Sequence, residues 1–283
     1  MGLLRCPSAW RLPAAARRCL SGETTHFGER TVPVGEKEGL VKGVFSSVAS
    51  NYDVMNDFMS GGMHRLWKDD YVKRLGLAAC ARAAGAAPRV LDVAGGTGDI
   101  GFRMVEELSA WLPPNDGAPA AVTVSDPNAE MLAVGRKKAN DRNISPRSMT
   151  FDIANAQSLP YDDNSFDFIT ISFGLRNVTD IDAALREMRR VLRRGGRWEC
   201  LEFSRVDNAG LRALYDVYSS KVIPELGERV AGDRGAYEYL VESIRKHPSQ
   251  LELVSRVAAA GFSGASYRNL TFGVVAIHTG YKD

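Results

Sequence analysis

Hydrophobic positions change period along the chain. From Val41 to about Ala84 the spacing is helical. Val44, Phe45, Val48 and Tyr52 fall at i, i+1, i+4 and i+8, and within His64–Leu77 the residues Leu66, Trp67, Val72 and Leu75 share neighbouring faces. After Pro88 short apolar runs take over. Arg89–Val93 predicts a strand ending in a glycine turn, followed by a helix over Ile100–Leu108. Ala121–Asp126 predicts a second strand and Asn128 to about Asn140 a second helix of this series. Met149–Asp152 and Phe166–Phe173 read as further strands. Asp180 predicts the N-cap of a helix whose apolar face is Ile181, Ala184, Leu185, Met188, Val191 and Leu192. Arg197–Phe203 is a fifth strand, and Val274–Tyr281 closes the chain as a β-rich run.

Strands alternating with helices of about 10–15 residues predict a parallel sheet covered on both faces. The expected fold class is therefore α/β, one domain over 41–283 with a helical N-terminal extension at 41–84. Residues 23–40 are polar and turn-rich, predicting a flexible lead-in. PPNDGAP (113–119) predicts a surface loop.

Composition refines this picture mainly at the N-terminus. Residues 1–22 carry Arg5, Arg11, Arg17 and Arg18 and no acid, the signature of an organellar transit peptide, with mitochondrial import expected. The whole chain holds 36 Lys and Arg against 34 Asp and Glu; without the leader's four arginines the balance is 32 against 34. A mildly acidic remainder gives nucleic acid no support as a partner. Of four cysteines two lie in the leader, leaving Cys80 and Cys200 without CxxC or Cys/His clustering, so neither a metal site nor a disulfide framework is expected. No apolar run of about 18 residues predicts a membrane span.

The chemistry concentrates after the first strand. VLDVAGGTGDI (90–100) reads as strand, tight turn and helix, with Gly95, Gly96 and Gly98 able to take positive φ and admit a ligand to the backbone. Gly96, Gly98 and Gly101 also satisfy G-x-G-x-x-G, so an NAD-type dinucleotide is a rival. Three acids separate the readings. Asp92, ahead of the glycines, suits an ammonium and gains a pyrophosphate nothing. Asp126 ends the second strand, placed for ribose hydroxyls. Asp152 ends the third, where it and Asn155-Ala156 could meet an adenine edge. A ligand with ammonium, ribose and adenine but no phosphate is S-adenosylmethionine (SAM).

Longer motifs then carry a resemblance. Tyr52-Asp-Val-Met-Asn56, Ser60 and His64-Arg-Leu-Trp67 come first, followed by LDVAGGTGD with its Ala94. LPYDDNSFDFITISFGLRNVTD (159–180), RVLRRGGRWECLEFS (190–204), YLVESIRKHPSQ (239–250) and NLTFGVVAIHTGYK (269–282) complete the set. Over most of 45–282 the chain resembles the ubiquinone/menaquinone biosynthesis C-methyltransferases, class I SAM-dependent enzymes. Arg194 departs from the family's K-P-G-G turn. The resemblance implies a Rossmann-like sheet, mostly parallel with an antiparallel last strand, and an N-terminal helical lid. It also implies SAM contacts at Thr97, Asp126, Asn155, Ala156 and Ser172, with Phe151 or Phe173 open as adenine neighbours.

The implied reaction methylates a ring carbon of a polyprenylated methoxy-benzoquinol in ubiquinone biosynthesis. Demethylmenaquinol as acceptor and a SAM-binding scaffold subunit are the alternatives. Ionising a ring hydroxyl, with an ordinary pKa near 10, needs a cation, a donor or a base. Arg176 is the candidate phenolate stabiliser, Asn177 its companion, and Tyr52 and His64 lid candidates; Glu202 could pair with Arg176, and His247 reads as a turn residue. Expected partners are the prenylated quinol, other coenzyme Q biosynthesis proteins, the matrix side of the mitochondrial inner membrane and, optionally, a second copy. A hydrophobic entrance or dimer face would involve Tyr215, Val217, Tyr218, Val222 and Ile223.

Overall fold

In a computed structural model the described residues are 24–48, 56–57, 60–112, 121–208, 210–213, 218, 225, 228 and 234–283. The expected leader, the 113–119 loop, Tyr52, Tyr215, Val217, Val222 and Ile223 lie outside them; Tyr218 is described and half-buried.

The centre is a seven-stranded sheet. Its strands are β3 (Val90–Val93), β4 (Val122–Asp126), β5 (Met149–Ile153), β6 (Phe166–Ser172), β7 (Leu192–Phe203), β8 (Ser263–Leu270) and β9 (Val275–Tyr281), in the order β5-β4-β3-β6-β7-β9-β8. Strands β3 to β7 pair in parallel, whereas β9 runs antiparallel to β7 and to β8. The expected mostly parallel sheet with an antiparallel last strand is therefore present, with a second antiparallel strand beyond it. Residues in β3 and β4 are buried at every position, as a strand covered on both faces requires.

The covering helices follow the hydrophobic spacing. Helix α4 (Asp99–Glu107) follows β3, and α5 (Ala129–Asp141) follows β4. Asn128 caps α5, its Oδ1 accepting from the Glu130 and Met131 N–H groups. Helix α6 (Ile181–Val191) buries Ala184, Leu185, Met188 and Val191, and its N-cap Asp180 accepts from Ala183 N–H at 2.9 Å. Helices α7 (Arg234–Lys246) and α8 (Gln250–Ala259) lead to β8, with a Ser249/Glu252 capping box opening α8.

The N-terminal segment differs from expectation. Residues 23–40 contain a β-hairpin, β1 (Thr24–Phe27) with β2 (Arg30–Pro33), and the start of helix α1 (Val34–Val48). A two-residue loop joins the strands, with Gly28 at φ +59°. The polarity that reads as flexibility belongs to a hairpin docked on the body: Phe27 stacks on Tyr239 at 4.3 Å, and Glu29 N–H donates to Glu242 Oε2 at 3.0 Å. Helices α2 (Met63–Leu75) and α3 (Leu77–Ala84) then pack their apolar sides into the core.

Candidate active site

Strand order reverses between β3 and β6. A ligand cavity is expected at the carboxyl ends of strands on either side of such a switch point. A cavity with about 1180 Å³ of open space lies there, walled by the β3–α4 turn, the ends of β4 and β6, and one face of α1.

The turn is shaped by backbone that side chains would obstruct. Gly96 and Gly98 take φ of +55° and +83°, as the glycine pattern predicts. Gly95 does not; a Cβ there would come within 2.6 Å of Asp92 Oδ2 and 2.7 Å of Val124 Cγ1. Two residues other than glycine also occupy the left-handed region beside the cavity: Ala94 after β3 (φ 51°) and Phe173 after β6 (φ 54°). Left-handed backbone at an L-residue costs about 1–2 kcal/mol, and its concentration around one cavity is typical of functional sites.

Asp92 is almost wholly buried yet lines this cavity. Thr170 Oγ1 donates to its Oδ1 at 2.7 Å, while Oδ2 has no hydrogen-bond partner among the described residues. Burial pushes its pKa up to about 7. Asp126 accepts from Gly96 N–H (3.0 Å) on Oδ2 and from Asn128 N–H (2.8 Å) on Oδ1; burial holds its pKa near 6. Thr97, Asn155, Ala156, Ser172 and Asn177 complete the expected lining. Asn155 Nδ2 donates to Glu38 Oε2 (3.0 Å), and Tyr239 Oη donates to Asn177 Oδ1 (2.9 Å).

These residues fit SAM. The unsatisfied Asp92 oxygen matches an ammonium, Asp126 retains lone pairs for ribose hydroxyls, and the glycine turn leaves room for close approach. Phe45, Met131 and Phe173 provide apolar wall. Of the two expected aromatic neighbours, Phe173 lines the cavity. Phe151 lies in the core, where it blocks any Cβ at Gly135.

Several expectations resolve differently. Asp152 is not in the lining: its carboxylate accepts from Tyr161 Oη at 3.1 Å, so only its neighbours Asn155 and Ala156 reach the ligand space. Gly98 sits behind the turn, where a Cβ would meet Met149 and Phe151. His64 is buried outside the cavity, with Nε2 2.8 Å from Asp57 Oδ1 and its N–H bonded to Ser60 Oγ. Burial, with Lys68 nearby, lowers its pKa. Trp67 is core, its Nε1 donating to Thr271 Oγ1 at 2.8 Å.

Arg176 is also outside the cavity. Nη1 meets Glu202 Oε1 at 2.8 Å and donates to the Phe173 carbonyl. Glu202, fully buried, also accepts from Arg176 N–H (3.3 Å) and Phe203 N–H (2.9 Å). The pair fastens the short helical turn Leu175–Asn177 to the end of β7, and so presents Asn177.

The sequence reading passed over the face of α1 formed by Glu38, Val41, Lys42 and Phe45, spaced i, i+3, i+4 and i+7. Lys68, Asp99, Asn128 and Gln157 were missed as well. Lys68 Nζ bonds Asp99 Oδ2 at 2.8 Å and lies over the Phe173 ring. The helical spacing at 38–45 was the available signal.

This fold and cavity define a class I SAM-dependent methyltransferase. The chain belongs to the ubiE/COQ5 methyltransferase family, which matches residues 33–282. It is 50% identical over 262 residues to the ubiquinone/menaquinone biosynthesis C-methyltransferase UbiE of Rhodopseudomonas palustris (strain TIE-1), covering 92% of this chain and 98% of that protein. The UbiE of Dinoroseobacter shibae is 50% identical over 260 residues, 92% and 97% of the two chains. Among solved structures, a chain provisionally assigned as a SAM-dependent methyltransferase from Methanococcus maripaludis aligns with a TM-score of 0.55. It is 17% identical over 84% of this chain and 93% of its own, a likeness of fold.

Proposed function

We propose that this methyltransferase acts on a ring carbon of a 2-methoxy-6-polyprenyl-1,4-benzoquinol, within ubiquinone biosynthesis in the mitochondrial matrix. The observation that carries the reading is Asp92: a buried carboxylate with one free oxygen at the turn after β3, beside a cavity whose other wall holds Asn177. SAM, when bound, supplies a methyl group on a positively charged sulfur. The chain's own residues place the partners. Asp92 and Asp126 fix the donor's two polar ends, and α1 forms one wall of the cavity. Asn177, held by Tyr239, offers its amide to a ring hydroxyl. Orientation of this kind is worth about 7–11 kcal/mol in well-aligned cases.

Arg176 acts on this reading as a positioning residue, because Glu202 takes up its charge. The acid-free, arginine-bearing leader supports the matrix location. A long prenyl tail supports work at the inner-membrane surface beside other proteins of the pathway. Related proteins named for both ubiquinone and menaquinone keep demethylmenaquinol as the alternative acceptor.

The experiment is methyl transfer from labelled SAM to short-tail forms of the two quinols, offered together, with the methyl located on each product. Preferential ring methylation of the benzoquinol is expected. Methylation of the naphthoquinol alone overturns the reading.

A further inference from the structure

A second cavity, with about 1540 Å³ of open space, lies between the β1–β2 hairpin, the start of α1, the 176–183 segment and the turn at His247. Its chemistry is unlike that of the first. Lys37 is 2% exposed, and its Nζ donates to the Val178 carbonyl at 3.3 Å. A carbonyl takes one of three ammonium protons and none of the charge. Desolvation alone pulls the amine down to about 8; no carboxylate counteracts it. His26, on the same wall, has its pKa lowered by burial and then by Lys37 and Lys246.

The far wall holds His247, which is 4% exposed, with both ring nitrogens lacking partners among the described residues. Burial drives its pKa to about 3, so the ring is neutral. The other cations bordering the cavity are already matched: Arg176 by Glu202, Lys246 by Glu29 and Arg256 by Asp182. Two acids also line it. Glu38 is bonded to Asn155, and Asp180 caps α6. Among the described residues, Lys37 is thus the buried cation of this wall without a counter-charge. A buried, unmatched ammonium is costly in a folded protein, and an anionic ligand removes that cost.

We propose that this second cavity binds an oxyanion, the carboxylate or phosphate of a small molecule, on Lys37, with His247 as a hydrogen-bonding group on the opposite wall. The site is separate from that of SAM, although Glu38, Gln157, Val178 and Thr179 border both cavities. Lys37 grips the carbonyl directly after Asn177, so an occupant would bear on the loop that presents Asn177.

The test is calorimetric titration of the full chain, free and SAM-saturated, with inorganic phosphate and with acetate. Saturable binding of at least one anion is expected, and the preferred anion names the group. Lys37→Met should weaken it by about tenfold or more, as loss of a charge-assisted contact does. The same variant should keep SAM affinity and, with its unmatched charge gone, melt no lower than the parent in anion-free buffer. Lys37→Arg should retain binding. Absence of saturable binding by either anion, equal binding by Lys37→Met, or competition with SAM overturns the proposal.

Discussion

The end of β3 and the turn after β6 each carry a buried charge beside the switch point, and they treat it oppositely. Asp92, which lines the cavity, has one oxygen satisfied by Thr170 and one without a partner among the described residues. Arg176 is given a carboxylate at 2.8 Å and a backbone carbonyl, and points away from that cavity. A charge completed within the protein secures structure. One left half-complete beside a cavity is a receptor. The residue type that invites a catalytic reading, an arginine at a strand end, is here the structural one.

The largest effect should come from breaking the completed pair. Glu202→Ala leaves Arg176 buried and unmatched, and destabilisation of about 3–5 kcal/mol is expected in urea unfolding. Asp92→Asn should behave in the opposite sense. The amide can still accept from Thr170, and a carboxylate that resists ionising is removed, so the ligand-free variant should unfold no more easily at pH 7. Its SAM affinity should instead fall by about 1.5–3 kcal/mol, roughly ten- to a hundredfold by equilibrium titration. Loss of stability at Asp92 with unchanged SAM affinity would erase the distinction.

A pH series sharpens the same contrast. The folded pKa of Asp92, about 7, lies above the ordinary carboxylate value near 4. Between these limits the native state holds more protons than the unfolded chain. Its contribution to ligand-free stability is therefore full below about pH 4 and lost as pH rises through 7. An ammonium partner needs the charged carboxylate, so SAM affinity should climb as pH rises from 6 to 8. Asp126, near 6, adds a shallower rise at the lower end. Asp92→Asn should abolish the upper step and keep the lower. An unchanged upper step would assign it to another group.

How much of this was legible in the sequence depended on what each face touches. Strands β3, β4 and β6 announce themselves because both faces are largely buried, leaving apolar pairs such as Val90-Leu91 and Phe168-Ile169. Asp92 and Asp126 were legible because strand ends beside a glycine turn point to one place. Asp152 obeys the same positional rule, but β5 is the edge strand, and Tyr161 reaches its carboxylate. Helix α1 was read as starting seven residues late: before Val41 its only large apolar positions are Val34 and Leu40, so the helical spacing shows only further along. Strand β8, Ser263–Leu270, is an edge strand with several exposed positions and left no hydrophobic period to find. The Arg176–Glu202 pair spans 26 residues, a separation at which sequence offers candidates without choosing between partner and catalyst.

The smallest effect should arise where the two regions meet. Asn177 faces the cofactor cavity, and Tyr239 fixes its amide by donating to Oδ1, which leaves Nδ2 for a ring hydroxyl. Tyr239 is itself held by the stack on Phe27, so the hairpin reaches the site through one aromatic contact and one hydrogen bond. Tyr239→Phe keeps the stack and deletes the bond. A loss of about 0.5–1.5 kcal/mol is expected, two- to roughly tenfold in kcat/KM for the quinol, with SAM affinity unchanged. A structural contact alone would lower melting temperature and leave that ratio intact. An effect on SAM binding equal to that on the quinol would instead move Asn177 from the acceptor's side of the cavity to the donor's.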